Sequence, residues 1–331
     1  MARAMLPDHP FRAVITRLLP LALACALAAG ASAHASEPIA ATAIPLDARD
    51  PERTRFGSLE LLAAYVLTSA DKRFGGLSGL TVGADGARIT LLSDRAWSVG
   101  VDLVHNADGR LTGFGATEAA VLRDSAGAPL VGFGSDAEAL TTLPDGRFAI
   151  SFEGVPRIDV YPDGLAGLAR PRVGRRVFGP LSNNGSLEAM TAWNGGFLAL
   201  VEDPGPDGMH AGFLIDEDGE AARLTYQGPA AFKPTDIAVL PDGNLLVLER
   251  KFSVLEGAHG RLACVDGAAI KAGANLVGDE LAVLSPPLAT DNFEGVVARP
   301  APGGGVLVYM VSDDNFNPLQ RTLLLQFRLS D

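Results

Sequence analysis

The sequence predicts an all-β protein, a β-propeller of five or six four-stranded blades. Three observations support this prediction: a unit of short strands recurs along the chain, each unit turns at a glycine-containing signal, and helical periodicity is almost absent. Short strands that repeat about every 40–50 residues are typical of propeller blades. The visible units cover Leu77–Asp94, Ala137–Glu153, Leu187–Glu202, Thr235–Glu249 and Phe293–Asp313.

Each unit opens with an acidic or hydroxyl residue, turns, and then runs through an apolar strand that ends in an acid. The turns carry dipeptides such as Asp145-Gly146 and Asp242-Gly243, because glycine accepts the positive φ of a tight hairpin. The opening residues are Ser78, Glu138, Glu188, Asp236 and Glu294. The acids that end the following strands are Asp94, Glu153, Glu202, Glu249 and Asp313.

The two ends of the repeat region predict how the ring closes. The last unit ends at Arg321–Leu329, and too few residues follow for an outer strand. The stretch Gly57–Leu62 can supply that strand, so that pairing of N- and C-terminal strands closes the ring and removes exposed edges. The gaps at 115–135 and 268–290 leave room for a sixth, degenerate blade. We therefore expect one propeller domain over residues 56–331, preceded by an extended leader at 36–55.

Residues 1–35 have the pattern of a secretory signal peptide. A basic region precedes an apolar run from Leu18 to Ala29, and Ala33-His34-Ala35 matches a signal-peptidase site. The run is shorter than the roughly 20 residues that a membrane-spanning helix needs. We expect cleavage near Ala35-Ser36, a periplasmic or secreted mature protein, and no stable membrane span. Lipid anchoring at Cys25 is a minor alternative.

The composition excludes several classes of function. The chain has 27 Lys+Arg against 39 Asp+Glu, a formal charge of −12, which argues against nucleic-acid binding and is compatible with cation binding. Only Cys264 remains after cleavage, so neither an internal disulfide nor a cysteine-based zinc site is expected. The histidine contexts give only a weak indication of a catalytic triad, and His259, between Gly257 and Gly260 and near Arg261, is the one that merits attention. Nothing in the sequence indicates a particular protein partner.

The repeated acids predict a cation site. Innermost strands line the channel of a propeller, so acids at equivalent places converge, and they stay ionised only if a cation or basic side chains neutralise them. Oxygen ligands favour Ca²⁺ or Mg²⁺. The predicted metal ligands are Asp94, Glu138, Glu153, Glu188, Glu294 and Asp313. The alternative is that each acid caps a strand or bonds to backbone amides within its own blade.

Three arginines are predicted to bind a substrate anion. Arg95 and Arg250 directly follow acids of the second set, and Arg321 lies in a comparable downstream position. The guanidinium group is suited to phosphate or carboxylate recognition. The alternative is salt bridging between neighbours, which contributes only about 0–1 kcal/mol at exposed positions.

Several runs of the sequence, taken together, resemble a known family. They are Phe74–Leu80, Ser93–Arg95, Leu248–Arg250 with Phe252-Ser253, Asp291–Gly295, Ser312–Asn317 and Gln320–Leu324. They resemble the phytase-like family of secreted bacterial proteins, also described as the esterase-like activity of phytase family, over about residues 57–329. The resemblance implies a β-propeller related to calcium-dependent alkaline phytases. The Lys/Arg-rich phosphate cleft of propeller phytases is not matched residue by residue.

These observations support one main function and two alternatives. The main hypothesis is a phytase-like or esterase-like hydrolase that uses Ca²⁺, held by channel acids, to hydrolyse a small phosphoric or carboxylic ester. The first alternative is a non-catalytic periplasmic binding or scaffold propeller with structural acids. The second is a lactonase-like propeller enzyme with one Ca²⁺ in its channel. The fold alone cannot choose among them, and no catalytic residue is assigned.

Overall fold

The computed structural model describes residues 1–2, 34–35, 37–181 and 187–329 of the 331-residue chain. The predicted signal peptide lies almost entirely outside the described residues, so secretion and the cleavage position stay predictions. Between Ser32 and Asp331 the chain forms one compact unit. Among the described residues, no helix has the length and apolar character needed to cross a membrane.

In the described part of the chain the strands form five sheets, which are the blades of the propeller; they are antiparallel except where β20 pairs parallel with β16. The first described strands are β1 (His34–Ala35), β2 (Ile39–Ala43), β3 (Arg55–Phe56) and β4 (Leu59–Ser69). Blade 1 follows with β5 (Leu77–Val82), β6 (Arg88–Ser93), β7 (Trp97–His105) and β8 (Leu111–Val121). Blade 2 has β9 (Ala137–Thr142), β10 (Phe148–Phe152), β11 (Arg157–Tyr161) and β12 (Arg170–Val173).

The remaining blades follow the same order from the inner strand outward. Blade 3 has β13 (Ala189–Trp193), β14 (Gly196–Pro204), β15 (His210–Ile215) and β16 (Ala221–Gln227). Blade 4 has β17 (Lys233–Val239), β18 (Leu245–Ser253), β19 (Gly257–Val265) and the outer strand β21 (Asp279–Leu284). The short strand β20 (Asn275–Val277) lies between β19 and β21 in the chain. Blade 5 has β22 (Asn292–Pro300), β23 (Val306–Asp313) and β24 (Thr322–Leu329). The helix α1 (Arg175–Phe178) and short 3-10 turns at Gly132–Gly134 and Gly267–Ala269 complete the described elements.

The inner strands close a ring around the channel. β5 contacts β9, β9 contacts β13, β13 contacts β17, β17 contacts β22, and β22 returns to β5. The outer strand of blade 5 is β4, which pairs antiparallel with β24 from Leu59 opposite Leu329 to Leu67 opposite Thr322. The predicted closure by N- and C-terminal strands is therefore confirmed. Part of the predicted leader forms β2, which pairs with the other edge of β4.

The propeller has five blades, which confirms the predicted fold and decides between the five and six blades that the sequence left open. The gap at 115–135 contains the end of β8, the outer strand of blade 1. The gap at 268–290 contains β21, the outer strand of blade 4, and β20, which adds to the edge of blade 3 beside β16. Both gaps complete the neighbouring blades.

Apolar residues pack between each blade and the next. Leu91 packs in the cluster shared with blade 5, whereas Leu92, its neighbour in β6, packs in the cluster shared with blade 2. In the same way, Val247 of β18 faces blade 3 and Leu248 faces blade 5. Because successive side chains point to opposite faces, a strand buried on both faces has a continuous apolar run. This explains why the second strand of each unit is apolar until its final acid.

Candidate functional site

The strand registers define which residues of different blades are equivalent. In every blade, one apolar residue of the inner strand lies opposite an apolar residue of the second strand at an equivalent place, and this pair serves as the reference for aligning the blades. These pairs are Leu80–Leu91, Leu140–Ile150, Met190–Ala199, Ile237–Val247 and Val296–Met310. The first ring is the set of five residues that lie two positions before the inner-strand members of these pairs. The second ring is the set of five residues that lie three positions after the second-strand members.

Both rings lie at the same end of the channel and are mostly acidic. The first ring consists of Ser78, Glu138, Glu188, Thr235 and Glu294. The second ring consists of Asp94, Glu153, Glu202, Arg250 and Asp313. The two hydroxyl members tie adjacent blades together, because Ser78 Oγ donates to the carbonyl of Ala137 at 2.7 Å and Thr235 Oγ1 to that of Phe293 at 3.1 Å.

Blade 4 corrects the sequence analysis, which placed Asp236 and Glu249 in these two sets. The register puts Thr235 and Arg250 there, and a shift of one residue turns a side chain to the opposite face of its strand. The carboxylate of Asp236 accepts hydrogen bonds from the N–H groups of Ile237 and Val296, both at 2.8 Å.

Glu249 likewise has a structural role within its blade. It is fully buried on β18 and pairs with Arg261 on the adjacent strand β19. Arg261 is 5% exposed and also contacts Glu280 at 3.1 Å. Asp236 and Glu249 therefore stabilise the fold. Their bonds go beyond the alternative that the sequence left open, because Asp236 also accepts from the next blade and Glu249 pairs with a side chain.

Glu138, Glu188 and Glu294 converge, although they are far apart in sequence. Burial raises the pKa of Glu138 well above its usual value, and repulsion from Glu188, Asp136, Glu153 and Glu294 raises it further. Burial also raises the pKa of Glu188 strongly, with repulsion from Glu294, Glu202 and Glu153 added. The predicted meeting of these carboxylates around a shared pore is thus present. Whether they bind metal is a separate question of chemistry.

Asp136, Glu138 and Glu153 bring three carboxylates close together at this end of the channel. One oxygen from each lies within 4.8 Å of the others. The backbone assists this arrangement, because the N–H of Glu153 donates to the carbonyl of Asp136 at 2.9 Å. Glu153 is 4% exposed, and burial raises the pKa of Asp136.

The donor set fits a hard divalent cation. It consists of oxygen atoms alone, and the strongest electrostatic influences on Glu138 all come from other acids. Such a group is stabilised by a cation such as Ca²⁺ or Mg²⁺, whose preferred protein ligands are carboxylates. Sequence reasoning missed Asp136. The available signal was an acid immediately before β9 and two residues before Glu138.

On the other side of the channel, basic side chains compensate the acids. Arg250 Nη2 donates to Glu202 Oε1 at 2.6 Å, and Arg250 Nε lies 3.4 Å from Glu294 Oε1. Lys233 Nζ lies 3.2 Å from Glu202 Oε2. Asn292 connects the group, because it accepts from Arg250 at 2.8 Å and donates to Glu294 at 2.6 Å. Burial raises the pKa of Glu294 to about 8 even though Arg250 opposes the shift.

Blades 1 and 5 bring Asp94 and Asp313 together at the rim of the channel. Burial raises the pKa of Asp313 to about 7, and Asp94 and Asp314 contribute by repulsion. Asp314 Oδ1 accepts from the N–H of Gly76 at 3.1 Å, which joins the two blades. Gly76 has φ +59°, and a Cβ there would lie 2.5 Å from Asp94 Oδ1. This close approach requires glycine.

The three predicted anion-binding arginines occupy different environments. Arg95 is exposed next to Asp94, and its guanidinium lies 3.4 Å from the ring centroid of Phe316, a cation–π contact. Arg250 is already engaged with acids of the channel. Arg321 is 44% exposed and lies 3.7 Å from Asp291, away from both rings in the described contacts. Of these three arginines, Arg95 is the one open to solvent at the acidic end.

The fold and the two rings define a five-bladed propeller with a carboxylate-lined channel end. The family profile described as "Phytase-like: Esterase-like activity of phytase" matches residues 72–316. The chain belongs to this phytase-like family, as the sequence resemblance indicated. No curated protein matches the chain.

Several solved structures are similar to the chain at low identity. A candidate gluconolactonase is 12% identical over 89% of this chain and 96% of its own, with TM-score 0.44. A protein of unknown function from Dyadobacter fermentans is 16% identical over 89% and 92%, with TM-score 0.43. A catalytically inactive virginiamycin B lyase from Staphylococcus aureus with quinupristin is 11% identical over 79% and 69%, with TM-score 0.38. Likeness at this level does not extend to function.

Proposed function

We propose that the protein is a calcium-dependent hydrolase of a small phosphoric or carboxylic ester, with its site at the acidic end of the channel. The observation that carries the proposal is the group formed by Asp136, Glu138 and Glu153, whose oxygens lie within 4.8 Å of one another. Membership of the phytase-like family supports ester hydrolysis as the reaction. The signal-like residues 1–35 support an action in the periplasm or outside the cell.

The residues of the site have distinct proposed roles. Asp136, Glu138 and Glu153 hold the cation, and Glu188 adds negative charge beside them. A bound calcium ion would supply a Lewis acid for the ester oxygen and lower the pKa of a water molecule. Arg95, exposed on the ring of Phe316, orients the anionic part of a substrate.

Arg250 acts on the site through its neighbours. It neutralises Glu202 and Glu294 on the far side of the channel. The acids near blade 4 are therefore partly neutralised, which favours cation binding on the side of blade 2. Asp94 and Asp313 at the rim remain further candidate ligands, since burial and mutual repulsion raise the pKa of Asp313.

The proposal is tested by hydrolysis of p-nitrophenyl phosphate and p-nitrophenyl butyrate, each with calcium and with a chelator. We expect turnover of at least one substrate in calcium, its loss in chelator, and its loss in Glu138→Gln. Glu217→Gln is the matched control, because Glu217 is an exposed acid of a distant turn. A wild type in which calcium adds no turnover of either substrate above the turnover measured in chelator would overturn the proposal.

A non-catalytic binding or scaffold propeller is the second candidate, and one observation favours it. Asp236 and Glu249 serve the fold, and Glu202 is neutralised by Lys233 and Arg250. The structural partners of these three acids account for their presence without a catalytic role. A calcium-dependent rise in melting temperature with no turnover of either ester would support this candidate, because it would show a structural metal.

A further inference from the structure

A serine and a histidine form a hydrogen bond at the rim of blade 4, apart from the acidic rings. Ser285 Oγ lies 2.9 Å from His259 Nδ1. His259 is near the start of β19, and Ser285 directly follows β21. These strands pair antiparallel with Gly260 opposite Leu284. His259 and Ser285, which are the adjacent residues on the two strands, therefore lie next to each other. Both residues are half-buried, and the His259 side chain is 15% exposed.

A carboxylate lies on the other side of the same imidazole. Glu256 Oε2 is 4.0 Å from His259 Nε2, a nitrogen that is buried and without a hydrogen-bond partner among the described residues. Lys251 Nζ contacts Glu256 Oε2 at 2.7 Å, and Ser253 Oγ accepts from the Glu256 N–H at 3.0 Å. Serine and imidazole are thus hydrogen-bonded as nucleophile and base are in a hydrolytic triad, and the carboxylate lies at ion-pair distance from the imidazole without a hydrogen bond to it.

The loop that carries Ser285 packs against the two residues that precede His259. Gly257, with φ +80°, approaches Pro286 so closely that a Cβ there would lie 3.1 Å from Pro286 Cγ. At the other end of the loop, Thr290 Oγ1 donates to the carbonyl of Ala258 at 2.8 Å. A nucleophile and base that are held before substrate arrives lose little entropy in reaching the reactive geometry.

We propose that Ser285 is the nucleophile, and His259 the base, of a second, metal-independent esterase site. Ser285 Oγ forms a bond to the acyl carbon, its proton passes to His259 Nδ1, and the carbon–oxygen bond to the alcohol breaks. His259 then gives this proton to the leaving alkoxide. Water hydrolyses the acyl-serine by the same proton transfers, which releases the acid and restores Ser285. The step requires the imidazole tautomer with its proton on Nε2, which faces Glu256.

The surroundings restrict the substrate to activated carboxylic esters. Pro286 and Pro287 directly follow Ser285, and proline has no N–H to donate to a developing oxyanion. A good leaving group, such as an aryl alcohol, offsets that missing stabilisation. Val254 and Leu255, at the tip of the β18–β19 hairpin, are 91% and 97% exposed. They offer an apolar surface beside Glu256 for the aryl or acyl group.

The test is covalent labelling by a fluorophosphonate probe in the presence of a chelator. We expect stoichiometric labelling of the wild type, none in Ser285→Ala, and a rate about 100-fold lower in His259→Gln. Ser125→Ala, which removes an exposed serine that follows blade 1, should label as the wild type does. Melting temperatures establish that each variant is folded, and peptide mapping identifies the labelled serine.

Two results would overturn the inference. One is a folded wild type that takes up no probe, and the other is undiminished labelling of Ser285→Ala or of His259→Gln. The chelator separates this site from the channel: a negative labelling result leaves calcium-dependent turnover untouched. Conversely, failure of calcium-dependent turnover leaves labelling at Ser285 as a separate outcome.

Discussion

Blade 2 and blade 4 differ in charge at equivalent positions of the same channel end: both ring residues of blade 2 are acidic, whereas one of blade 4 is neutral and the other basic. Blade 2 contributes Glu138 and Glu153, whereas blade 4 contributes Thr235 and Arg250. Blade 4 also contains two acids, Asp236 and Glu249, but each lies one residue away from the ring position. Their carboxylates bind backbone N–H groups and Arg261 instead. A shift of one residue therefore converts a cation-binding pattern into a fold-stabilising one.

The comparison also explains why one side of the channel is suited to a cation. Near blade 2 the strongest influences on Glu138 are other acids, and burial keeps water from screening them. Near blade 4, Arg250 and Lys233 neutralise Glu202, and Arg250 also approaches Glu294. Four predictions test this difference, and they follow in order of decreasing expected effect.

Arg261→Ala should cause the largest loss of stability. Glu249 is fully buried and Arg261 is 5% exposed, so removal of the arginine leaves a buried charge without its partner. Breaking such a pair typically costs about 3–5 kcal/mol in free energy of unfolding. Urea denaturation measures the change. The control is Arg321→Ala, whose side chain is 44% exposed in its pair with Asp291 and whose loss should cost less than about 1 kcal/mol. Equal losses in both variants would contradict the structural role of Glu249.

Stability without metal should fall as the pH rises from about 4.5 to about 8. The pKa of Glu294 is raised from 4.5 to about 8, and that of Asp313 from 3.8 to about 7. In this window the folded protein binds more protons than the unfolded chain, so raising the pH costs stability. The expected change is a few kcal/mol, because a pKa that differs by one between the folded and unfolded states corresponds to at most about 1.4 kcal/mol.

Melting temperature across this pH range, in chelator, measures that change. Calcium should flatten the curve, since it stabilises the ionised acids. Glu294→Gln should reduce the slope, because one of the titrating groups is removed. A melting temperature that rises with pH in chelator would show that the acids are compensated by the protein itself.

Glu138→Gln should remove the stabilisation by calcium and, in chelator, raise the melting temperature slightly. The first effect follows from loss of a ligand, and the second from relief of repulsion with Glu188 and Asp136. A ligand at 100 times its dissociation constant stabilises by about 2.7 kcal/mol, and this amount should be lost. Thermal denaturation with and without calcium measures it. Glu217→Gln should behave as the wild type; an equal loss there would place the calcium elsewhere.

Arg250→Gln should have the smallest effect on stability and should strengthen calcium binding. Arg250 is 29% exposed, so the expected loss is about 1–2 kcal/mol, below that of a fully buried pair. With the arginine gone, Glu202 and Glu294 add to the negative field of the channel. Calorimetric titration with calcium gives the affinity. Unchanged or weaker binding would show that blade 4 does not set the charge of the site.

The sequence was sufficient for several parts of the candidate site. Glu138, Glu188 and Glu294 each open a unit and precede one small and one apolar residue, and they do converge. Arg250 reaches the channel as well, but it engages acids where an anion contact was predicted. Asp136 was missed because it lies outside the repeated pattern, in the segment before β9. The metal-binding and substrate-binding roles of all these residues remain predictions for the experiments above.

By itself, the sequence determined the strands, the glycine turns, the units and the closure of the ring, because these follow from local periodicity and from counting strands. Only the tertiary structure decided which acids face the channel and which serve the fold. The physical reason is that side chains alternate faces along a strand, so a bulge or one-residue shift, as at Thr235, reverses the assignment. The meeting of His259 with Ser285 was likewise decided by the pairing of β19 with β21, which local sequence does not encode.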